Sequence, residues 1–171
     1  MQSEPTREHR WLDALIGEWS YEMECLMGPD QPPMTSTGTE VVRSLGGLWT
    51  VAEIHGEGPN GQPSISLMTL GFNPTIGRFT GTFVASMMTH LWTYEGSLDA
   101  DARILTLDAE GPSFSSEGVS KYQDIIELVD DDHRIMRSQL LSDDGNWISF
   151  MTMRYRRRSA APGAAHERLS A

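Results

Sequence analysis

The periodicity of this chain changes at Gly17, and that change limits what the rest can become. Trp11, Leu12, Leu15 and Ile16 recur at helical spacing, Thr6 stands where it can cap the start, and Gly17 can adopt the positive φ that ends a helix. After Gly17 the apolar positions alternate. Trp19, Tyr21, Met23 and Cys25 share one face, whereas Glu18, Ser20, Glu22 and Glu24 share the other, the two-residue period of a strand with one wet side. A short helix over 6–16 is therefore predicted to run straight into a half-buried strand.

The same alternation continues in ten short runs, near 18–27, 35–45, 48–55, 64–72, 78–84, 89–98, 104–108, 121–129, 134–141 and 147–156. Turn residues separate them: Gly28-Pro29-Asp30, Gly46-Gly47, Pro59-Asn60-Gly61, Asn73-Pro74, Asp99-Ala100-Asp101, Asp130-Asp131-Asp132 and Asp143-Asp144-Gly145. No βαβ alternation and no glycine-rich phosphate loop interrupts the series, which excludes a doubly wound nucleotide fold. So many strands in 171 residues must curl on themselves, because closure removes the exposed edges that invite aggregation. The expected fold is all-β, a single antiparallel up-and-down barrel of about ten strands with the helix over one end. Its interior is wide enough for one small ligand. One domain over 6–156 is expected, with flexible ends at 1–5 and 157–171, the latter rich in Ala and carrying Pro162 and Gly163.

A formal charge of −11 argues against nucleic-acid or anionic-membrane partners, whose binding draws on clustered basic residues. Arg154, Arg156, Arg157 and Arg158 do cluster, but as the solvated end of the last run. The uncharged stretch 79–94 is too short and too rich in Thr, Ser and Gly to span a bilayer. Cys25, the lone cysteine, reads as a small buried hydrophobe and forms no internal disulfide. Residues 1–10 are polar and carry no secretory signal, so a cytoplasmic location is expected.

Several runs place polar side chains in register with large apolar ones, as a lumen for an amphipathic molecule requires. Glu40 shares a face with Gly38 and Val42, Glu53 with Trp49 and Val51, His90 with Met88, Trp92 and Tyr94, Asp124 with Tyr122 and Ile126, and Arg137 with Ile135. Parity decides which residues lie together but not which face is inward. The candidate lining is Trp19, Tyr21, Glu40, Glu53, His90, Trp92 and Tyr122. His90 suits a metal or haem ligand, an acid or base, or an anchor for a carboxylate; an ordinary histidine with one hydrogen bond is the plainer alternative. His9, His55, His90, His133 and His166 are scattered without ligand spacing, so no metal site is expected. Asp130 to Asp132 reads as a solvated turn, and Ser113, Ser115 and Ser116 as a polar loop without a nucleophile motif. Glu40 and Glu53 are the only carboxylates that suggest a catalytic pair, against the alternative of surface strand carboxylates. The ten methionines fit a compliant pocket wall or a plain core. The join Ala85-Ser86-Met87-Met88 lacks turn residues, and reads as one bent, bulged strand or as a loop gating a ligand.

The segments Glu8-His9-Arg10-Trp11-Leu12, Leu15-Ile16-Gly17-Glu18-Trp19, Ser44-Leu45-Gly46-Gly47-Leu48-Trp49, Ser86-Met87-Met88-Thr89-His90-Leu91-Trp92 and Tyr94-Glu95-Gly96-Ser97-Leu98 resemble a bacterial family known as Domain of Unknown Function 1579, over nearly all of 6–156. More distantly, Gly17-Glu18-Trp19 is similar to the Gly-x-Trp opening of the lipocalins and their calycin relatives, which include fatty-acid-binding and nitrobindin-like haem barrels. That likeness implies a basic residue of the last strand, Arg154 or Arg156, packed over Trp19 to close the barrel floor. Fatty-acid carriers separate their terminal Arg and Tyr by one residue; here Arg154 and Tyr155 are adjacent and diverge. Nitrobindin-like barrels take a late proximal histidine, which 147–156 lacks, so no cofactor is expected and haem is a minor option.

Three functional readings follow. The first is a barrel that binds a small amphipathic or aromatic molecule. The second is an isomerase, lyase or hydrolase using Glu40 or Glu53 with His90. The third is an interaction module, a homodimer joined through strand edges or the Met87-Met88 segment.

Overall fold

Alternation does produce strands here, and every strand pairs with the next. The computed structural model describes residues 3–26, 28, 30–58, 61–113 and 118–158. A helix α1 (Arg7–Trp11) continues into a 3₁₀ turn (Leu12–Leu15). Ten strands follow: β1 (Gly17–Cys25), β2 (Met34–Leu45), β3 (Trp49–Glu57), β4 (Pro63–Asn73), β5 (Arg78–Ala85), β6 (Trp92–Leu98), β7 (Ile104–Pro112), β8 (Val119–Leu128), β9 (His133–Leu141) and β10 (Trp147–Arg157). All pairings are antiparallel between sequence neighbours, and β1 pairs with β10, so the sheet closes as an up-and-down barrel. No helix among the described residues is long and apolar enough to cross a membrane.

The helix is a plug. Thr6 donates its backbone N–H to His9 Nδ1 (3.0 Å), which caps the first turn, and the buried His9 ring meets Phe72 edge-on. Leu12 and Leu15 enter the barrel end against Trp19, Val42, Leu70, Phe79, Leu105 and Leu107, all of them buried. Trp11 donates from Nε1 to Ala102 O (2.7 Å), and Trp19 to Leu15 O (2.9 Å), so two indoles tie the plug to the wall. Gly17 takes φ +136° at the junction, where an added Cβ would sit 2.5 Å from Arg157 Nη1; only glycine serves there.

Two boundaries differ from the sequence pattern. Strand β6 begins at Trp92, leaving His90 and Leu91 in the connection after β5. Residues 85–88 are a true turn: Ser86 N donates to Ile65 O, Ser86 Oγ accepts from Ile65 N, and Met88 N donates to Ala85 O. A serine hydroxyl and neighbouring backbone thus supply what Gly or Asn usually does, and the single bent strand is not formed. At the other end β10 runs on through Arg157, a residue the sequence pattern assigns to the flexible end. Residues 159–171, with His166, lie outside the described residues, as do Pro59, Asn60, Ser115 and Ser116.

Because Trp19 is buried, meets the plug and packs in the first core layer, Trp19→Ala should cost about 3–5 kcal/mol. The shift in urea midpoint at constant slope measures it.

Candidate functional site

Inward positions divide the barrel into a sealed floor and an accessible upper half. Around the floor most inward side chains are buried, with Phe72, Leu98, Leu128 and Arg157 partly so; toward the end opposite the helix Met23, Ser36, Ile54, Phe83, Trp92, Leu140 and Met151 point inward and remain partly exposed.

The floor is built on charge and aromatic rings. Register places Trp19 beside Glu40, and Tyr155 beside Arg134. Glu40 on β2 reaches over the two strands between to form a buried ion pair with Arg134 on β9. The Arg134 guanidinium also lies 4.7 Å from the Trp19 ring and 4.0 Å from the Tyr155 ring, and Arg157 covers Trp19 at 4.1 Å. Arg157 Nη1 donates to Ile16 O (2.6 Å) and Nη2 to Ala14 O (3.1 Å), latching the last strand to the plug. Burial, opposed by the field of Tyr155 and helped by that of Arg157, brings Arg134 down to about 10, so it stays charged at neutral pH. Burial pushes the Tyr155 hydroxyl up to about 12.

Arg154 and Arg156 are not the closing residues. Met153 and Tyr155 face inward, so the residues alternating with them face solvent, and Arg154 sits opposite Glu22 on the exterior. Arg157, of the same parity as Tyr155, takes the place the resemblance assigns to the last strand. Arg134 covers the other side, and the opposite parity of β9 turns Arg137 out to Glu127 (2.7 Å).

Above the floor, Asp124 on β8 projects inward between Tyr94 of β6 and Ser138 of β9. Tyr94 Oη donates to Oδ2 (2.6 Å), and Ser138, the register partner of Asp124, donates to Oδ1. Tyr94 reaches across β7 because the inward series there tapers through Leu107, Ala109 and Gly111. Burial raises the Asp124 carboxyl above the usual range while the two hydroxyls oppose the shift; burial and the adjacent carboxylate raise Tyr94 well above its ordinary value. Nearer the mouth, Trp92 packs over Gly111, where an added Cβ would meet the ring at 2.4 Å. Tyr122 meets Trp92 edge-on at 5.0 Å and donates to Pro112 O (2.6 Å). Tyr21, raised by burial, lies over Gly38 and Gly56 with its hydroxyl 3.3 Å from His55 O.

The remaining candidates separate. Glu53 faces outward, paired with His55 at 2.6 Å, because Thr50, Ala52 and Ile54 are the inward residues of β3. His90 stands at the rim, its ring 4.8 Å from Trp92 and Nε2 3.2 Å from Glu110 O. Trp92, Tyr122 and His90 thus gather at the mouth, Trp19 and Glu40 at the floor, and no Glu–His pair forms from the expected set. Among the described residues no group of three His, Cys, Asp or Glu is placed to hold a metal ion, and no inward strand position carries histidine. Two grooves lie on the outside: one of about 700 Å³ beside Thr93, Asp108, Lys121 and Trp147, and one of about 400 Å³ beside Arg103, Asp131 and Arg157.

A closed antiparallel barrel with one plugged end and one accessible end defines a lipocalin-like barrel. The chain belongs to the DUF1579 family, described as a protein of unknown function, whose family model matches residues 4–157. In fold it is similar to the Rv2717c protein from M. tuberculosis, with a TM-score of 0.60, 13% identity, and coverage of 91% of this chain and 100% of that one. It is also similar to the S-type phycobiliprotein lyase CPES from Guillardia theta, with a TM-score of 0.60, 9% identity, and coverage of 91% and 95%. At these identities the likeness is one of fold. No curated protein matches the chain.

Two outcomes test this geometry. Arg134→Met leaves Glu40 buried without its partner and should destabilise by about 3–5 kcal/mol, whereas Arg134→Met with Glu40→Leu should recover most of the loss; denaturant midpoints of the two singles and the double decide it. Because the folded pKa of Asp124 lies above its unfolded value, ionisation costs stability as pH rises from the unfolded value through the folded one. Asp124→Asn is therefore expected to raise Tm at neutral pH and to lose that advantage near about pH 4, close to the ordinary aspartate value.

Proposed function

We propose that the barrel binds a small amphipathic molecule with a flat or aromatic body in its upper lumen, admitted through the end opposite the helix. The observation that carries this reading is the exposure gradient along the inward positions. Methionine and aromatic side chains turned toward the axis stay partly exposed toward the open end, whereas most inward side chains at the plugged end are buried. A packed structural core has no reason to keep such residues wet, and burying them against a guest is favourable. Met23, Met136 and Met151 supply an adaptable wall, and Trp92, Tyr122 and Phe83 supply ring faces. The enzyme reading loses its residues, since Glu53 is outside, Glu40 is held by Arg134, and His90 stands at the rim.

Titration with the neutral dye Nile red tests the reading. The wild-type chain should bind it with a blue-shifted, enhanced emission. Ile54→Trp, which fills the lumen, and Trp92→Ala, which removes a ring from the mouth, should each weaken binding roughly tenfold. Binding unchanged in both variants would place the dye outside the barrel and overturn the proposal.

A further inference from the structure

We infer that Asp124, held on the lumen wall between Tyr94 and Ser138, receives the protonated nitrogen of an alkylamine that carries an aromatic group, so that the guest of this barrel is a cation with a flat apolar body. The inference rests on the lumen-binding reading and narrows it to one chemical class.

Three observations carry it. Asp124 faces the axis and is flanked on β8 by the buried Tyr122 and Ile126, so its carboxyl is itself buried and meets only a guest that enters the lumen to its depth. Both of its oxygens already accept a hydroxyl proton, from Tyr94 and from Ser138, an arrangement that fits the ionised carboxylate. Each oxygen keeps a further lone pair able to accept. The negative charge has no cationic partner: no ion pair among the described residues includes Asp124.

The opposite preference finds no support on the same wall. Arg134 and Arg157 are the only basic residues at inward positions among the described strand residues. Arg134 is committed to Glu40 and to two rings, and Arg157 to the plug carbonyls below Trp19. A carboxylate guest would meet Asp124 with nothing to balance it, whereas an ammonium group gains a charge-assisted hydrogen bond and the π faces of neighbouring rings.

Three probes that share a dansyl group and a five-carbon chain, ending in an ammonium, a methyl or a carboxylate group, test this by fluorescence titration. Salt at about 0.5 M screens the attraction of the acidic surface. The wild-type chain should prefer the ammonium probe over the methyl probe by roughly tenfold or more, and the carboxylate probe should bind worst. Asp124→Asn should erase that order by weakening the ammonium probe alone, and the exterior control Glu53→Gln should preserve it. Equal affinities for all three probes in the wild-type chain, or the same order in Asp124→Asn, would overturn the inference while leaving lumen binding intact. Failure of every probe to bind would instead remove the lumen reading and the inference with it. If Asp124→Asn does not fold, the wild-type comparison decides alone.

Discussion

The clamp on Trp19 is the interaction on which this barrel depends. Its two cations come from different strands, Arg157 from β10 and Arg134 from β9, and its indole N–H is spent on the plug. Glu40 neutralises Arg134 from the other side of the closure seam, so the β1–β10 pairing is bridged above the backbone as well as through it. A buried ion pair adds little net stability over apolar residues of the same shape. Its value here is geometric. It holds a guanidinium flat between two rings, and thereby fixes how β9, β10, β1 and β2 meet.

Above the clamp, small residues on the wall receive the rings of their neighbours. Glycines at 38, 56 and 111 accept Tyr21 and Trp92, and Ala109 lets Tyr94 cross β7 to Asp124. Polar groups sit at two depths: a neutralised pair at the floor and an unpaired carboxylate midway. That asymmetry gives the lumen a chemical character as well as a volume, and it sets the accessible half apart from an ordinary hydrophobic core.

Much of this was legible in the sequence. The helix stop at Gly17 and all ten strands follow from a change of period and from turn residues, because each signal is local. The choice of inward face was harder. Strand β3 carries apolar residues on both faces, with Trp49 packed outside over Gly71, so Glu53 beside Trp49 and Val51 resembled a lumen residue. Glu40 lay on a strand whose alternation is clearer, so its inward face was legible, though its partner Arg134 was not. Arg134 was missed because its partners lie on β1, β2 and β10, far away in sequence, and because it directly follows an aspartate-rich turn that reads as solvated. Arg157 was missed by one residue: extending the last run from 156 to 157 would have put it on the same face as Tyr155.

The latch between Arg157 and the carbonyls of Ala14 and Ile16 joins the first folded residues to the last strand. During synthesis β1 must wait for nearly the whole chain before its second partner arrives, so its free edge stays unsatisfied while β2 to β9 accumulate. Ring closure is thus the final event of assembly. A nascent chain halted before the last strand has emerged remains an open sheet with a loose plug, a species prone to edge-to-edge association and a natural substrate for a chaperone.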